Sequence, residues 1–382
     1  MTAGWDDARA AARSVAQRLP SEQVPLPAAV GRTLADPVIA RCDLPGFDTS
    51  AMDGWAVAGP GPWQIVAEIL AGGAPGRTLN AGEAAAIATG AAVPRGADEV
   101  IRSEDGTVAA DVLEARRVEP GHHIRPRGEE CRIGEELAVA GSVVTPAVAG
   151  LLAAAGTDDV AVVREPRIHL LLLGDELLDH GIPAVGQVRD SLGPQLPGWL
   201  VRLGGSVSGI TRVADTVPAL VAALTQVTDA DVIVTTGGTA AGPVDCLHPA
   251  LAQVGASLVV DSVAVRPGHP MLLALWQDTP VLGLPGNPQS AVVALVTLGA
   301  PLLRALLGRP ESGFPEVILD TGLSAPAREN RLVLGTVADG RFTAASHLGS
   351  AMLRGLAAAQ GFAVLPHGGA AAGTAVRWLP LP

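Results

Sequence analysis

Three segments of the 382-residue chain carry the side chains best suited to chemistry, and each follows an apolar run. "LLLLGDELL" puts Asp175 and Glu176 one glycine past four leucines. "VIVTTGGTAAG" runs into Thr235, Thr236, Gly237, Gly238 and Thr239, with Asp245 a few residues on. "VLGLPGNPQSAVV" brings Pro285, Gly286, Asn287, Pro288 and Ser290 to a strand–helix junction. Glycines let backbone N–H groups approach an anion, and a helix N-terminus adds roughly half a positive charge. Carboxylates beside such a cradle can hold a hard cation such as Mg²⁺, which prefers oxygen ligands and polarises a phosphoanhydride. Taken singly, each has a plainer reading: a tight turn, a solvated helix start, a rigid cap. Three on one sheet edge make a ligand site the better expectation. Neither the P-loop lysine pattern nor GxGxxG is present.

A second constellation lies upstream. "PGFDTSAMDGWAV" sets Asp48, Ser50 and Asp53 around a small-residue turn, and "IATGAAVPRGADEVI" sets Thr89 and Gly90 at a strand end. "HHIRPRGEECRIGE" adds Arg125, Arg127, Glu129 and Glu130. His122 and His123 read as solvated rather than as ligands.

The pattern predicts the elements that must position these residues. A helix is expected over 5–19, another over "PAAVGRTLA", and one after Thr145 and Pro146 that Gly156 stops. Short strands with Gly/Pro turns fill 46–137 and suggest a β-rich domain. From 166 to about 305, strands apolar on both faces alternate with helices near 191–204, 217–227, 246–254 and from Gln289. This is the pattern of a parallel sheet covered on both sides. "ASLVVDSVAVRPGHPMLLALW" adds edge strands. Ligands of such sheets bind beyond the carboxyl ends of the strands, where all three loops fall. Short strands return over 306–382, with "ADGR" a hairpin turn.

Composition bounds the function. The chain is 48% apolar and 17% charged, with a formal net charge of −12, no lysine and no tyrosine. Nucleic-acid tracking is not expected of so acidic a surface. An anionic ligand must then be held by N–H groups, a few arginines or a metal. Three scattered cysteines, Cys42, Cys131 and Cys246, argue against a disulfide framework or zinc cluster and for a reducing compartment. Neither a signal peptide nor a membrane span is expected, so the predicted location is cytoplasmic.

In this order, "DLPGFDTSAMDGWAV", "ATGAAVPRGADEVI", "IRPRGEE", "LLGDEL", "TTGGTAAG" and "LPGNPQSA" resemble the molybdopterin molybdenumtransferases, the MoeA and gephyrin E-domain family. The tail "SHLGSAMLRGLAAAQGFAVLP" is similar to that family's C-terminal domain, so the resemblance spans essentially the whole chain. It implies a multidomain α/β plus β fold. Residues 1–45 and 138–165 would form an elongated helical linking domain, and 46–137 a β-rich second domain. Residues 166–305 would form a three-layer α/β molybdopterin-binding domain with a parallel-rich sheet, and 306–382 a C-terminal β-barrel. The resemblance also implies a homodimer whose cleft joins two subunits, with the molybdopterin adenylyltransferase as a further partner. The implied reaction inserts molybdate into adenylylated molybdopterin with Mg²⁺ and releases AMP. Asp53, Glu176 and Asp245 take the catalytic roles, and Asp53, Glu130 and Glu176 the metal. Substrate binding falls to Thr89, Asp175, Asp190, Ser191, Asp215, Thr236, Gly237, Gly238, Arg266, Pro285, Gly286, Asn287, Pro288 and Ser290.

The chain departs from the family pattern at several points. Glu130 replaces a usual Asp; Pro243 stands where an acid is common. Leu192 replaces an amide after "DS", and His248 a lysine. "RPGHP" replaces "KPGKP", so Arg266 keeps a cation while His269 is charged only when protonated. Two competing readings follow: a weakened paralogue that binds or delivers molybdopterin or scaffolds a partner, and a protein turned to another oxyanion such as tungstate.

Overall fold

The computed structural model of the protein describes residues 2–116, 119–240, 245–311 and 313–382. The chain divides into two compact units, Met1–Glu22 with Gly31–Ala35 and Val162–Pro382, and Gln23–Val30 with Asp36–Ala161.

The larger unit is built on the expected sheet. Strand order is Ser206–Val213, Arg167–Leu173, Val232–Thr236, Thr279–Leu284, Leu272–Trp276, Ser257–Val260. The first four run parallel; Leu272–Trp276 runs antiparallel to both its neighbours, and Ser257–Val260 is the edge strand beyond it. Apolar residues alternate between two covered faces. Ile168, Leu170, Leu172, Val232, Val234, Leu282 and Leu284 join the cluster under the Leu192–Arg202 helix and the long helix from Pro288. Leu171, Leu173, Ile233 and Val281 join the cluster under the Val217–Gln226 and Leu247–Gln253 helices. The three-layer arrangement follows from that alternation.

The Pro288–Leu306 helix is 19 residues of mean hydropathy 1.5, long and apolar enough to cross a membrane, which the sequence pattern did not lead us to expect. It is the core helix of this unit, with 83% of its apolar window buried. A π-helical turn at Leu295–Gly299 interrupts it. Such a turn frees main-chain carbonyls from the helical ladder. Arg9 takes the Val296 carbonyl at 2.6 Å, and the Trp5 indole donates to Thr297 Oγ1 at 3.1 Å. The N-terminal helix supplying both ends at Ser14 rather than at residue 19.

The last part of this unit is a closed five-stranded barrel. Asn330–Ala338, Arg341–Ala344, Glu316–Leu319, Ala375–Pro380 and Gly361–Leu365 pair in sequence and return to Asn330–Ala338. The "ADGR" hairpin forms as expected: Ala338 pairs with Arg341, and Asp339 and Gly340 hold φ of 51° and 74°, the twist a two-residue hairpin needs.

The smaller unit holds a six-stranded sheet in the order Glu99–Arg102, Gly54–Val57, Glu83–Ile87, Trp63–Ile69, Val112–Ala115, Gly106–Ala109. Its helix Pro146–Ala154 is capped by Thr145, whose hydroxyl accepts the Val148 N–H at 3.1 Å, and ends before Gly156 at φ 88°. The helix expected over "PAAVGRTLA" is only the 3₁₀ turn Leu26–Ala29; Gly31, at φ 87°, cannot continue it without leaving the helical region.

One ion pair staples the base of the parallel sheet. Asp231 accepts both Arg164 Nη atoms at 2.8 Å and the Arg167 N–H at 2.7 Å. Burial alone would raise the Asp231 pKa, but the guanidinium fork and the N–H hold it below the ordinary value. A depressed folded pKa means the stabilisation is present above the unfolded value, about 3.9, and is lost as pH falls through the folded one. Asp231→Asn should cost about 1–2 kcal/mol at neutral pH, less than a fully buried pair because Arg164 is partly solvated. The difference from the parent in urea midpoint should disappear in acid.

Candidate functional site

The parallel register sets a common rim. Leu173 lies opposite Val213, Leu172 opposite Thr236, and Thr236 opposite Leu284. The loops that follow these strands therefore leave the same edge: 174–176, 214–215, 237–239 and 285–287. The Arg167–Leu173 strand lies between the next two strands of the chain, so connections diverge to either side of it. This is the topological switch point at which open α/β sheets form their ligand crevice. The loops bearing Glu176, Gly237 and Asn287, far apart in sequence, leave that one edge.

Geometry sorts the residues at that rim. Asp175 and Asp215 exchange main-chain bonds: the Asp175 N–H donates to Asp215 Oδ2 at 3.2 Å, and the Asp215 N–H to Asp175 Oδ1 at 3.3 Å. Partial desolvation, then the charges of Asp175 and Glu176, raise the Asp215 pKa against the pull of the Asp175 N–H. No arginine or histidine lies in salt-bridge range of these three acids among the described residues. Asn287 precedes the Pro288 helix and makes no side-chain cap bond. The Gly237 N–H is spent on the Leu284 carbonyl at 2.8 Å, which draws two loops together. The Gly238, Gly286 and Asn287 N–H groups have no acceptor among the described residues. Gly237 and Gly238 adopt φ of 80° and 64°, which other residues reach only at a cost. A Cβ on Gly286 would sit 3.7 Å from the Gly237 Cα.

Other expected residues carry structural tasks. Thr236 Oγ1 accepts the Leu173 N–H at 3.3 Å, strapping neighbouring strands. Asp190 Oδ1 caps the Leu192–Arg202 helix through the Leu192 and Gly193 N–H groups, its Oδ2 takes Arg212 at 2.8 Å, and Ser191 makes no cap bond. Leu192 itself is 6% exposed and packs in the core, so an amide there would be buried. Ser290 is buried on the core helix, next to Gln289. Pro285 is buried at the strand end and Pro288 opens the helix. Arg266 is held by Glu329 at 2.8 Å, with His269 Nδ1 3.6 Å from the same carboxylate. Pro243 lies outside the described residues.

Asp245 Oδ1 accepts the Leu247 and His248 N–H groups, and its Oδ2 lies 2.7 Å from His248 Nδ1. His248 Nε2 reaches Asp261 Oδ1 at 2.7 Å. Sequence reasoning missed Asp261: it lies on another segment, and nothing in its local pattern marks it. Burial would lower the His248 pKa, but the Asp261 hydrogen bond and the two carboxylates raise it. A raised folded pKa gives stabilisation that is full below the unfolded value, about 6.5, and fades as pH rises through the folded one. His248→Gln should remove roughly 0.5–1 kcal/mol of stability in weak acid and flatten Tm against pH above neutrality, read by thermal melts across pH.

In the smaller unit, Asp53 Oδ1 accepts the Thr89 N–H at 2.8 Å, so two expected residues meet. Asp48 accepts the Arg127 N–H at 2.7 Å, and Ile124–Arg125 pairs with Thr49–Ser50. Glu130 is exposed and its N–H donates to Leu44 O at 2.9 Å. His122 and His123 stack with centroids 3.8 Å apart.

Three family models cover the chain. They are the MoeA N-terminal region (domain I and II) over residues 4–156, a "Probable molybdopterin binding domain" over 169–305, and the MoeA C-terminal region (domain IV) over 316–381. Molybdopterin molybdenumtransferase 2 of Mycobacterium tuberculosis is 34% identical over 372 residues, 90% of each chain. The chain belongs to the molybdopterin molybdenumtransferase family. The molybdopterin molybdenumtransferase of Nostoc is 34% identical over 77% of this chain and 71% of its own. A solved molybdopterin biosynthesis MoeA protein from Pyrococcus horikoshii superposes over 100% of both chains with TM-score 0.82 at 26% identity. A molybdopterin molybdenumtransferase is a transferase of molybdenum cofactor biosynthesis.

Proposed function

We propose that this transferase binds adenylylated molybdopterin in the rim crevice, inserts molybdate at the dithiolene and releases AMP. The observation that supports the reading is that, at one switch point and among the described residues, N–H groups without an acceptor and an acid cluster without a salt-bridged cation leave the same sheet edge. The Gly238, Gly286 and Asn287 N–H groups suit phosphate oxygens. Asn287 offers an amide to orient the ligand. The Gly237 N–H bond to the Leu284 carbonyl keeps these two loops together, and Thr236 ties its strand to Leu173.

The acids suit Mg²⁺, which binds through one or two carboxylates and completes its shell with substrate phosphates and water. Asp175 and Asp215, mutually held, and Glu176 beside them would supply protein oxygens. Partial desolvation first, and then the charges of Asp175 and Glu176, raise the Asp215 pKa, and a hard cation would offset the latter. Among the described residues no group of three metal-ligating side chains is preassembled. When bound, Mg²⁺ neutralises charge developing on the phosphoanhydride. Asp245, bonded to the Leu247 and His248 N–H groups and to His248 Nδ1, holds its helix start at the rim.

Asp53 and Glu130 belong in this reading to a second copy's smaller unit, completing the cleft of a homodimer. The four-domain division at residues 45, 137, 165 and 305, a cytoplasmic location and a molybdopterin adenylyltransferase supplying the substrate belong to the same proposal.

The test is incubation of the purified chain with adenylylated molybdopterin, Mg²⁺ and molybdate, with AMP and molybdenum cofactor quantified. Release of AMP no faster than from a Glu176→Gln control would remove the reading. Tight pterin binding without turnover would select the binding-only paralogue instead.

A further inference from the structure

Two helices that begin at the crevice rim, Leu192–Arg202 and the one from Pro288, end on the opposite side of the sheet, about 16 and 28 Å away. There the lining of a cavity of about 290 Å³ includes Arg9, Arg13, Arg202, Arg304 and Arg309. We infer that this cavity is a binding site for a small polyanion of the phosphate class, separate from the crevice.

Five cations converge here in a chain with 26 cationic side chains and a net charge of −12. Arg9, Arg13, Arg304 and Arg309 have no carboxylate within 4 Å among the described residues. Uncharged oxygens hold them in place. Arg9 donates to Val296 O at 2.6 Å, Arg13 to Arg309 O at 3.1 Å, Arg304 to Pro310 O at 2.6 Å and Arg309 to Thr33 Oγ1 at 2.8 Å. Arg202 donates to the main-chain oxygen of Pro382 at 2.8 Å. Each tether uses one of the five N–H groups a guanidinium carries, so most donors remain for a ligand.

Capping the two helix C-termini would need one or two arginines, not five. The surplus carries an electrostatic cost. Burial brings the Arg9 pKa to about 10, and burial followed by the neighbouring Arg13 lowers that of Arg304. Burial and then Arg304 lower that of Arg309. Glu311, the acid in the lining, is exposed and only partly offsets this. Pre-positioned, mutually repelling guanidiniums are relieved by a multivalent oxyanion, which they grip bidentately. The volume suits a phosphate-bearing small molecule, and the overall negative charge disfavours a nucleic-acid strand.

The probe is inorganic pyrophosphate, titrated calorimetrically into the full chain at constant ionic strength. Saturable binding is expected, weakened about tenfold or more by the Arg13→Gln, Arg304→Gln pair. A pyrophosphate-dependent rise in Tm should vanish with it. Arg304→Lys keeps the charge and the fold but not the planar fork, and should weaken binding severalfold. No saturable binding, or equal affinity in these variants, would overturn the assignment; equal affinity would place the ligand at the rim loops.

Discussion

Glu176→Gln is expected to lower AMP release by about two orders of magnitude or more while leaving the fold intact. The side chain is exposed at the mouth of the crevice and makes no hydrogen bond among the described residues. Its structural contribution is through the main chain, where its carbonyl accepts the Val188 N–H at 3.0 Å, and glutamine retains that. What is lost is a negative charge beside Asp175 and Asp215, in the cluster we assign to Mg²⁺. The variant should need more Mg²⁺ for half-maximal rate, and its melting curve should overlay the parent's. Because Glu176 helps raise the Asp215 pKa, the substitution should also shift the acid limb of the pH–rate profile downward. A variant turning over at the parent rate would take Glu176 out of the chemistry.

The second large effect concerns the smaller unit. Gly54→Ala should destabilise it by about 3 kcal/mol. A Cβ at Gly54 would lie 1.9 Å from the Ile101 carbonyl oxygen, 2.9 Å from its carbon and 3.0 Å from the Arg102 carbon. These are backbone atoms of the adjoining strand, where Gly54 pairs with Arg102 on one side and Ile87 on the other. No rotamer change relieves the contact; the sheet must open. Asp53 is the next residue, so its 2.8 Å bond to the Thr89 N–H is displaced as well. Thermal unfolding should show the smaller unit's transition falling by roughly 10 °C. Gly150→Ala in the same unit is the control. A Cβ there meets nothing within 4 Å and the site is helical, so that variant should gain about 0.5–1 kcal/mol. Equal stability of the two variants would refute the packing argument.

Much of this was legible before any coordinates, for definite reasons. Leu170–Leu173 and Val232–Val234 are unbroken apolar runs, as a strand covered on both faces requires, and each leads within a few residues to glycine. Thr145-Pro146 and Gly156 marked both ends of a helix because a cap and a left-handed glycine are local requirements. The hairpin at Asp339-Gly340 was local in the same sense.

Other features depend on partners hundreds of residues away, and periodicity does not encode them. The sequence by itself determined the sheet, its rim loops, the acids Asp175 and Glu176, and the family to which the chain belongs. Only the tertiary structure decided which of those groups are free. Gly237, Thr236, Asp190, Asp245 and Arg266 spend donors or charges on neighbours, while the Gly238, Gly286 and Asn287 N–H groups meet no acceptor among the described residues. Only folding, too, brought Arg9 and Arg13 beside Arg202, Arg304 and Arg309. The physical reason is that a residue's type fixes what bonds it can make, but the packing of distant segments fixes which of them are already made.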